Sequence, residues 1–460
     1  MSDTGNAGKY TPSLEGLLCF SAALPRFLSG EDTPRNWLEA CLETISAREK
    51  DVKAFTFLDA EGARKAADGS SRRYKNGRPL SPLDGMPVAF KDVFDMAGTN
   101  TGHGSPLFAD NHTRWDAASV WHMRQGGAIM LGKTVTTEFA FATPGPTRNA
   151  WDLNRTPGGS SSGSGAAVGA SMVPVATGTQ VRGSVLRPAA FNGTYALKPS
   201  HGAITTLGGF PSAPSINHLG IIAGSLSDMW ITAYWLSRNA GGEPGHPSLV
   251  GEPGLPAARK PARLARLDTA GWEETPEDVR EIFNEFVDRL AARGVEIVSR
   301  RDDPELEAFE RDLIETRDAI DLILTYEGRW PLMMYAQAAP DQVGERIAGR
   351  AVAGAECSPD DYARALEWAE EFRARHLALS AKYDAMVTLN QIAAAPVGIP
   401  VGNVVYGEAS SLLRTPALNL PLLAHQDMPL GIQLLGYYRR DFDLTAVGHW
   451  MLHATFRDED

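Results

Sequence analysis

The chain has 460 residues, of which 43% are apolar and 22% charged, and its formal net charge is −12. This length is enough for one large domain or two to three smaller ones with a buried core. The acidic balance argues against a nucleic-acid partner, because binding a polyanion normally needs a basic face.

The first half of the chain is predicted to begin with a disordered segment and to continue as an α/β layered domain. Residues 1–10 read as disordered, and residues 12–49 carry apolar side chains at helical spacing. From 84 to 200, short apolar runs alternate with glycine-rich turns and small-residue helices. The pattern predicts strands at 85–90 and 128–131 and a helix at 117–125.

The second half is more charged and more helical. Thr-Pro-Glu-Asp at 275–278 predicts a helix start with Thr275 as the cap, and the helical pattern ends at Gly294. Ser-Pro-Asp-Asp at 358–361 repeats this start signal, and strands are predicted at 295–299 and 431–435. Because no long polar linker interrupts the chain, residues 11–460 are predicted to form a single domain. Within it, 84–200 is the catalytic core segment and 240–380 is a variable, mostly helical excursion that forms part of a substrate pocket.

The predicted location is the cytoplasm. The three cysteines, Cys19, Cys41 and Cys357, are too few and too scattered for a disulfide framework or a zinc site. The N-terminus has neither the apolar run nor the basic start of a signal peptide. No stretch of about 18 apolar residues is present, so no membrane span is expected.

The stretch GGSSSGSG at 158–165 admits three interpretations. A flexible linker would open into polar chain, but small apolar residues follow it directly. A phosphate-binding loop needs a Gly-Lys pair, and the next lysine is Lys198. A nucleophile elbow, with Ser161 as the nucleophile of G-x-S-x-G, must follow an apolar strand, and 149–157 is not one.

A second Gly-Ser site, TQVRGSVLRPAAF at 179–191, lies downstream. Together with the first it resembles the signature segment of the amidase signature family, in which a glycine-serine loop, a small-residue helix, a Gly-Ser turn and an L-K-P strand follow in this order. The separation of Ser160 and Ser184 by 24 residues is similar to that of the family. GMPVAFKD at 85–92, LGKT at 131–134 and the segments at 415–421 and 428–434 also resemble family elements, whereas 240–380 is the least similar part.

The resemblance implies an α/β fold with a mixed central β-sheet sandwiched between layers of α-helices. It also implies Ser184 as nucleophile, Ser160 as a bridging serine after a cis peptide bond, and Lys91 as base. The chemistry is reasonable, because a serine hydroxyl needs a base within hydrogen-bond reach and burial keeps a lysine neutral. Taken singly, each residue has another interpretation: Lys91 paired with Asp92 or Asp95, Ser160 as a helix cap, and Ser184 as a small turn residue.

By the same resemblance, the oxyanion hole is formed by the backbone N–H groups of Val181, Arg182, Gly183 and Ser184. Such donors usually make the largest single contribution to stabilising the transition state. Arg187 is expected to be structural. The predicted substrate-binding residues are Ala140, Phe141, Arg182 and Phe210. His103 and His218 are interpreted as structural histidines.

Three positions depart from the family pattern: Gln180 stands where aspartate is usual, Arg182 where a small residue is usual, and Asn192 where cysteine is common. Arg182 is the sharpest departure. Its side chain either binds a substrate carboxylate or carbonyl, or seals the pocket through a salt bridge to an acid, or points into solvent.

The predicted function is that of an amidohydrolase, which cleaves the C–N bond of a small-molecule carboxamide through an acyl-serine intermediate, with esterase activity as a side reaction. No metal or organic cofactor is implied, and family habit suggests a homodimer. One alternative is the glutaminase-type subunit of a tRNA-dependent amidotransferase, against which the acidic balance, Gln180 and Arg182 argue. Another is a catalytically inactive binding homologue, against which the retention of Lys91, Ser160 and Ser184 argues.

Overall fold

The computed structural model describes residues 9–14, 17–141, 143–268 and 271–456. Most of the segment that is predicted to be disordered, residues 1–8, lies outside this range. For Tyr10 the prediction of disorder is wrong. Its side chain is buried, its hydroxyl donates to the Pro421 carbonyl at 2.7 Å, and its ring packs edge-on against Trp151.

A mixed β-sheet forms the centre of the described structure. Its strands are arranged in the order β1-β3-β2-β4-β6-β5-β10-β11-β9-β7-β8. Parallel pairs join β2 to β3 and β4, and β7 to β8 and β9, while the other neighbours are antiparallel. The strands are β1 Phe55–Leu58, β2 Pro87–Lys91, β3 Ile129–Thr134, β4 Val175–Gln180, β5 Tyr195–Lys198, β6 His218–Ala223, β7 Arg263–Arg266, β8 Glu296–Val298, β9 Ala385–Leu389, β10 Ala417–His425 and β11 Met428–Leu435.

Helices cover both faces of the sheet. They are α1 Leu24–Ser29, α2 Pro34–Val52, α3 Ala60–Lys75, α4 Ala118–Gln125, α5 Ser162–Gly169, α6 Leu186–Asn192, α7 Leu226–Asn239, α8 Glu277–Ala292, α9 Pro304–Ala338, α10 Glu345–Glu356, α11 Pro359–Leu379, α12 Glu408–Leu412 and α13 Asp441–Phe456. None of these described helices has both the length and the apolar character that crossing a bilayer requires.

The two faces of the sheet carry separate apolar cores, because side chains alternate along a strand. In β2, Val88 and Phe90 belong to one core and Ala89 to the other. The first core is completed by α7, α8 and α13, and the second by α2, α3, α5, α9 and α11. This is the predicted α/β architecture of a mixed sheet between helical layers.

Most elements lie where the sequence pattern predicts them. The runs at 85–90, 128–131, 295–299 and 431–435 contain β2, β3, β8 and β11 or parts of them, and α4 and α11 begin within a residue of their predicted starts. Two details differ. The described residues before 21 form no helix, so the predicted helical region at 12–49 is too long. Thr275 does not cap α8, because its hydroxyl donates to the Gly271 carbonyl at 2.8 Å and the helix begins after Pro276.

The glycine-serine stretch at 158–165 is packed tightly and is not a linker. Every residue from 158 to 165 is buried, and α5 begins at Ser162. A methyl group on Gly163 would overlap the Ala54 carbonyl and the Val135 amide, and one on Gly165 would lie 2.8 Å from the Pro188 carbonyl. Glycine is therefore required here for close backbone contact and not for flexibility.

Gly163→Ala is expected to lower the free energy of unfolding by about 1–3 kcal/mol, since the added methyl group meets rigid backbone atoms. Urea denaturation measures the change. Gly349→Ala is the matched control, because Gly349 is an exposed helical glycine of α10 with no atom within 4 Å of its Cβ position. Its substitution should be neutral or stabilising by up to about 1 kcal/mol. Equal effects at the two positions would contradict the packing argument.

Candidate active site

Lys91 ends β2 inside the protein and is hydrogen-bonded to hydroxyl groups. Its Nζ donates to Ser160 Oγ at 2.6 Å and to Thr179 Oγ1 at 2.8 Å, and the side chain is fully buried. The neighbouring carboxylate, Asp92, is instead paired with Lys133 of β3 at 2.6 Å. The alternative interpretation of Lys91 as a partner of Asp92 is therefore wrong.

This environment favours a neutral amine. Burial holds the pKa of Lys91 well below its usual value of 10.5, and desolvation of the ammonium is the cause. Among the described residues, no carboxylate forms a salt bridge with Lys91 to offset this effect. A neutral Nζ has a lone pair and can accept a proton.

The loop that carries Ser160 is fixed from several sides. Its Gly159–Ser160 peptide bond is cis, as the family resemblance implies. The Ser160 carbonyl accepts from the Thr137 amide at 3.2 Å, and the Ser161 amide donates to the Ser184 carbonyl at 3.2 Å. The second of these bonds joins the backbones of the two serine segments directly.

Ser161, the nucleophile of the elbow interpretation, lies outside the cavity. Its hydroxyl is buried and has no hydrogen-bond partner among the described residues. It packs close to Gly178 of β4. The elbow interpretation lacks both a base for Ser161 and access for a substrate.

The turn at 181–184 presents free backbone donors. Gly183 has φ 81°, a conformation that glycine adopts readily. No hydrogen-bond acceptor for the backbone N–H groups of 181–184 is found among the described residues. The Gln180 side chain holds the start of α6, because its Oε1 accepts from the amides of Val185 at 2.9 Å and Leu186 at 3.0 Å.

Arg187 connects the two serine segments to the loop before α12. Its buried guanidinium donates to the carbonyls of Gly159, Arg182 at 3.0 Å, Val401 at 2.7 Å and Asn403 at 3.3 Å. Burial lowers the pKa of Arg187 to about 10. These contacts agree with the structural role that the sequence suggests.

Ser160 and Ser184 open into the same cavity, which has a volume of about 260 Å³. Its walls are mainly apolar, with arginine side chains among them. The lining residues are Ala140, Phe141, Ser160, Thr179, Val181, Arg182, Ser184, Arg187, Ser212, Asn217, Leu324, Arg346, Arg350, Val401 and Val404. The cavity is thus built from the segment at 84–200, from Ser212 and Asn217 downstream of it, from α9 and α10, and from the loop at 401–404.

Three of the four predicted wall residues, Ala140, Phe141 and Arg182, line the cavity. Phe210 does not, because its ring is buried against Phe139 and His103 at centroid distances of 5.4 Å each. The sequence pattern did not predict Leu324, Arg346 or Arg350 as individual wall residues. No feature of the local sequence identifies them as wall residues, since helices carry leucine and arginine on any face. Only the packing of α9 and α10 places these side chains near the two serines.

The Arg182 guanidinium is occupied by carboxylates of the protein. Its Nε donates to Glu408 Oε1 at 2.7 Å, Nη2 donates to the same oxygen, and Nη1 donates to Asp321. Of the alternatives that the sequence leaves open, this contact corresponds to the salt bridge that seals the pocket. The guanidinium is therefore not free to bind a substrate carboxylate.

The other singled-out polar residues are bonded within the scaffold. Asn192 donates to the carbonyls of Pro157 at 2.9 Å and Pro188 at 2.8 Å. Burial lowers the pKa of His103 to about 3, and it also lowers that of His218. Neither histidine lines the cavity.

Comparison with known proteins agrees with this geometry. The family model Amidase matches residues 36–444. The chain belongs to the amidase signature family. A crystal structure of an amidase superposes with a TM-score of 0.83 at 26% identity and covers 94% of this chain and 99% of its own.

Two relatives by sequence are glutamyl-tRNA(Gln) amidotransferase subunits A. The one from Sulfurisphaera tokodaii is 28% identical over 449 residues, which cover 89% of this chain and 92% of that relative. The one from Acidothermus cellulolyticus is 35% identical over 289 residues, so that the match spans 59% of this chain and 55% of that relative.

In this amidase signature protein, the burial of Lys91 should make the free energy of unfolding depend on pH. An unfolded lysine keeps its usual pKa of 10.5, whereas the folded one is lower, so over the interval between them only the unfolded state holds the proton. The wild type therefore gains stability as pH rises toward 10.5. Lys91→Met removes this dependence. The free energy of unfolding of the variant minus that of the wild type should therefore be largest at low pH and decline steadily as pH increases.

Urea denaturation at several pH values between about 6.5 and 9.5 gives the slope that tests this linkage. Lost hydrogen bonds to Ser160 and Thr179 offset the curve of the variant without changing its slope. Lys75→Met, at an exposed position of α3, is the control and should follow the wild type. Parallel curves for wild type and Lys91→Met would show that Lys91 is charged in the folded state.

Proposed function

We propose that this chain is an amidohydrolase, which hydrolyses the C–N bond of a small-molecule carboxamide through an acyl-Ser184 intermediate. The observation that carries the proposal is the hydrogen bond from the buried Lys91, which forms no ion pair with a described carboxylate, to Ser160. The Ser160 hydroxyl opens into the same cavity as Ser184. The proposal includes the cytoplasmic location and the homodimer that the sequence suggests.

In the proposed acylation step, Ser184 Oγ attacks the carbonyl carbon of the amide. Its proton passes to Ser160 Oγ, and the Ser160 proton passes to Lys91 Nζ. The negative charge that develops on the carbonyl oxygen is stabilised by the free N–H groups of the 181–184 turn. When the C–N bond breaks, the proton returns through Ser160 to the departing amine.

In the proposed deacylation step, a water molecule attacks the acyl-serine ester. One proton of the water passes to the Ser160–Lys91 pair and then to Ser184 Oγ as the ester bond breaks. The products are the carboxylic acid and the free enzyme. Since esters form the same acyl-enzyme, the proposal includes esterase activity as a side reaction.

The glutaminase alternative draws its support from the names of the relatives. The charges of the cavity argue against it. Its described lining includes four arginines and no aspartate or glutamate. Glutamine also carries an α-carboxylate that can pair with an arginine, but the acids beside the cavity, Glu408 and Asp321, already bond Arg182. Its α-ammonium group would therefore enter a partly desolvated site without a free counter-charge, which is unfavourable. A carboxamide without an ammonium group is the better match.

Ser184→Ala is expected to abolish covalent labelling by a fluorophosphonate probe and to reduce amide hydrolysis to background. Intact-protein mass spectrometry detects the adduct. Ser161→Ala is the matched control, because Ser161 is a neighbouring buried serine outside the cavity, and it should be labelled like the wild type. Labelling that is lost in Ser161→Ala but kept in Ser184→Ala would assign the nucleophile to the elbow motif instead. Labelling absent from the wild type would favour the inactive binding homologue.

Hydrolysis of uncharged carboxamides is expected to exceed that of glutamine by at least about tenfold in kcat/KM, because one unpaired charge in the cavity costs more than 1.4 kcal/mol. Ammonia release from a panel of aliphatic and aromatic carboxamides, compared with glutamine, measures the ratio. A preference for glutamine, above all one that depends on a co-purifying partner, would support the amidotransferase subunit.

A further inference from the structure

The side chain of Arg182 ties the 181–184 turn to two distant elements. Glu408 at the start of α12 is 226 residues away in the chain, and Asp321 of α9 is 139 residues away. Both carboxylates bond the guanidinium, and the Glu408 side chain is only 4% exposed. A small residue at 182 would leave this turn without either connection.

The ion pairs continue on both sides of Arg182. Arg317 of α9 lies 3.5 Å from the second oxygen of Glu408, and Arg350 of α10 lies 3.6 Å from Asp321. Charges therefore alternate from α12 through the turn to the helices that form the cavity wall. A buried carboxylate such as Glu408 is tolerated only with such partners, and removing one of them leaves an unfavourable buried charge.

Backbone packing makes the turn sensitive to the position of α12. Gly407, which precedes Glu408, lies directly against Gly183, so that a Cβ on Gly407 would overlap the Gly183 Cα atom. Glycine at 407 is required for this close approach. A shift of α12 away from the turn, or toward it, would therefore move the backbone N–H groups on either side of Gly183.

We propose that Arg182 and Glu408 are positioning residues, which hold the 181–184 turn, the proposed oxyanion turn, in register with α12 and with the cavity wall on α9. The inference rests on the proposed function. Oxyanion donors act only when they are aimed at the position where charge develops, and a misplacement of about 1 Å can cost about a hundredfold in rate. Arg182 thus acts through the backbone of its own turn and not by contact with the substrate.

The test uses the full-length protein and phenylmethanesulfonyl fluoride, a small uncharged probe whose sulfonyl oxygens need the same donors. Mass spectrometry of the adduct over time gives kinact and KI separately. Arg182→Met should lower kinact by about tenfold to a hundredfold and change KI by less than about twofold. Arg182→Lys keeps the charge but cannot bond the two carboxylates in the same geometry. Its kinact should therefore lie between those of Arg182→Met and the wild type.

Glu408→Gln should also lower kinact, because the neutral amide weakens the hold on Arg182. The double variant should be no slower than Arg182→Met alone, since the two residues act through one contact. The matched control is Asp312→Asn, which removes a comparable 2.7 Å ion pair to Arg375 from the same helix α9 but at a position outside the cavity. It should keep the wild-type kinact.

A higher KI with unchanged kinact in Arg182→Met would show direct binding and overturn the positioning role. Glu408→Gln that behaves like Asp312→Asn would overturn it as well, and this comparison decides the matter if Arg182→Met fails to fold. A wild type that the probe does not label would contradict the proposed function itself, and the positioning role with it. Variants that match a well-labelled wild type would contradict the positioning role alone.

Discussion

Lys91 is the last residue of β2, and the hydrogen-bond partners of its buried amine are two hydroxyl groups. Desolvation of an ammonium group in such a place is unfavourable, so burial lowers the pKa of the amine well below its usual value and favours the neutral form. The proposed chemistry depends on this one constraint. A carboxylate within reach would restore the charge and leave Ser160 without a proton acceptor.

The structure keeps the nearby carboxylate away by giving it another partner. Lys133 of β3 is paired in register with Phe90, the residue before Lys91 in β2, and its amine forms the ion pair with Asp92. Two lysines on adjacent strands thus have opposite environments. One forms a buried ion pair that is balanced in charge, and the other has no carboxylate counter-ion among the residues that the structure describes. Stability alone would not select the second arrangement, which is consistent with a functional role for Lys91.

The remaining parts of the site are assembled from segments that are far apart in the chain. Arg187 joins the backbones of the two serine segments and the loop at 401–403, and Arg182 joins the 181–184 turn to α9 and α12. The glycines at 163, 183 and 407 allow these backbones to approach one another closely. Residues 158–165 have the composition of a flexible linker, but here the small residues permit dense and rigid packing.

The sequence by itself determined the alternation of strands and helices and the family resemblance, because periodicity and motif order are local properties of the chain. Through that resemblance it also predicted Lys91, Ser160 and Ser184 as the catalytic residues. The mixed sheet between layers of helices was implied by the resemblance, and the structure confirms it. Only the tertiary structure decided that Arg182 is taken up by Glu408 and Asp321, that Phe210 belongs to an aromatic cluster, that Tyr10 is packed, and that Leu324 and Arg350 reach the cavity. Each of these outcomes depends on which distant side chain comes within a few ångströms. That depends on how helices and strands pack in three dimensions, and no pattern along the chain encodes it locally.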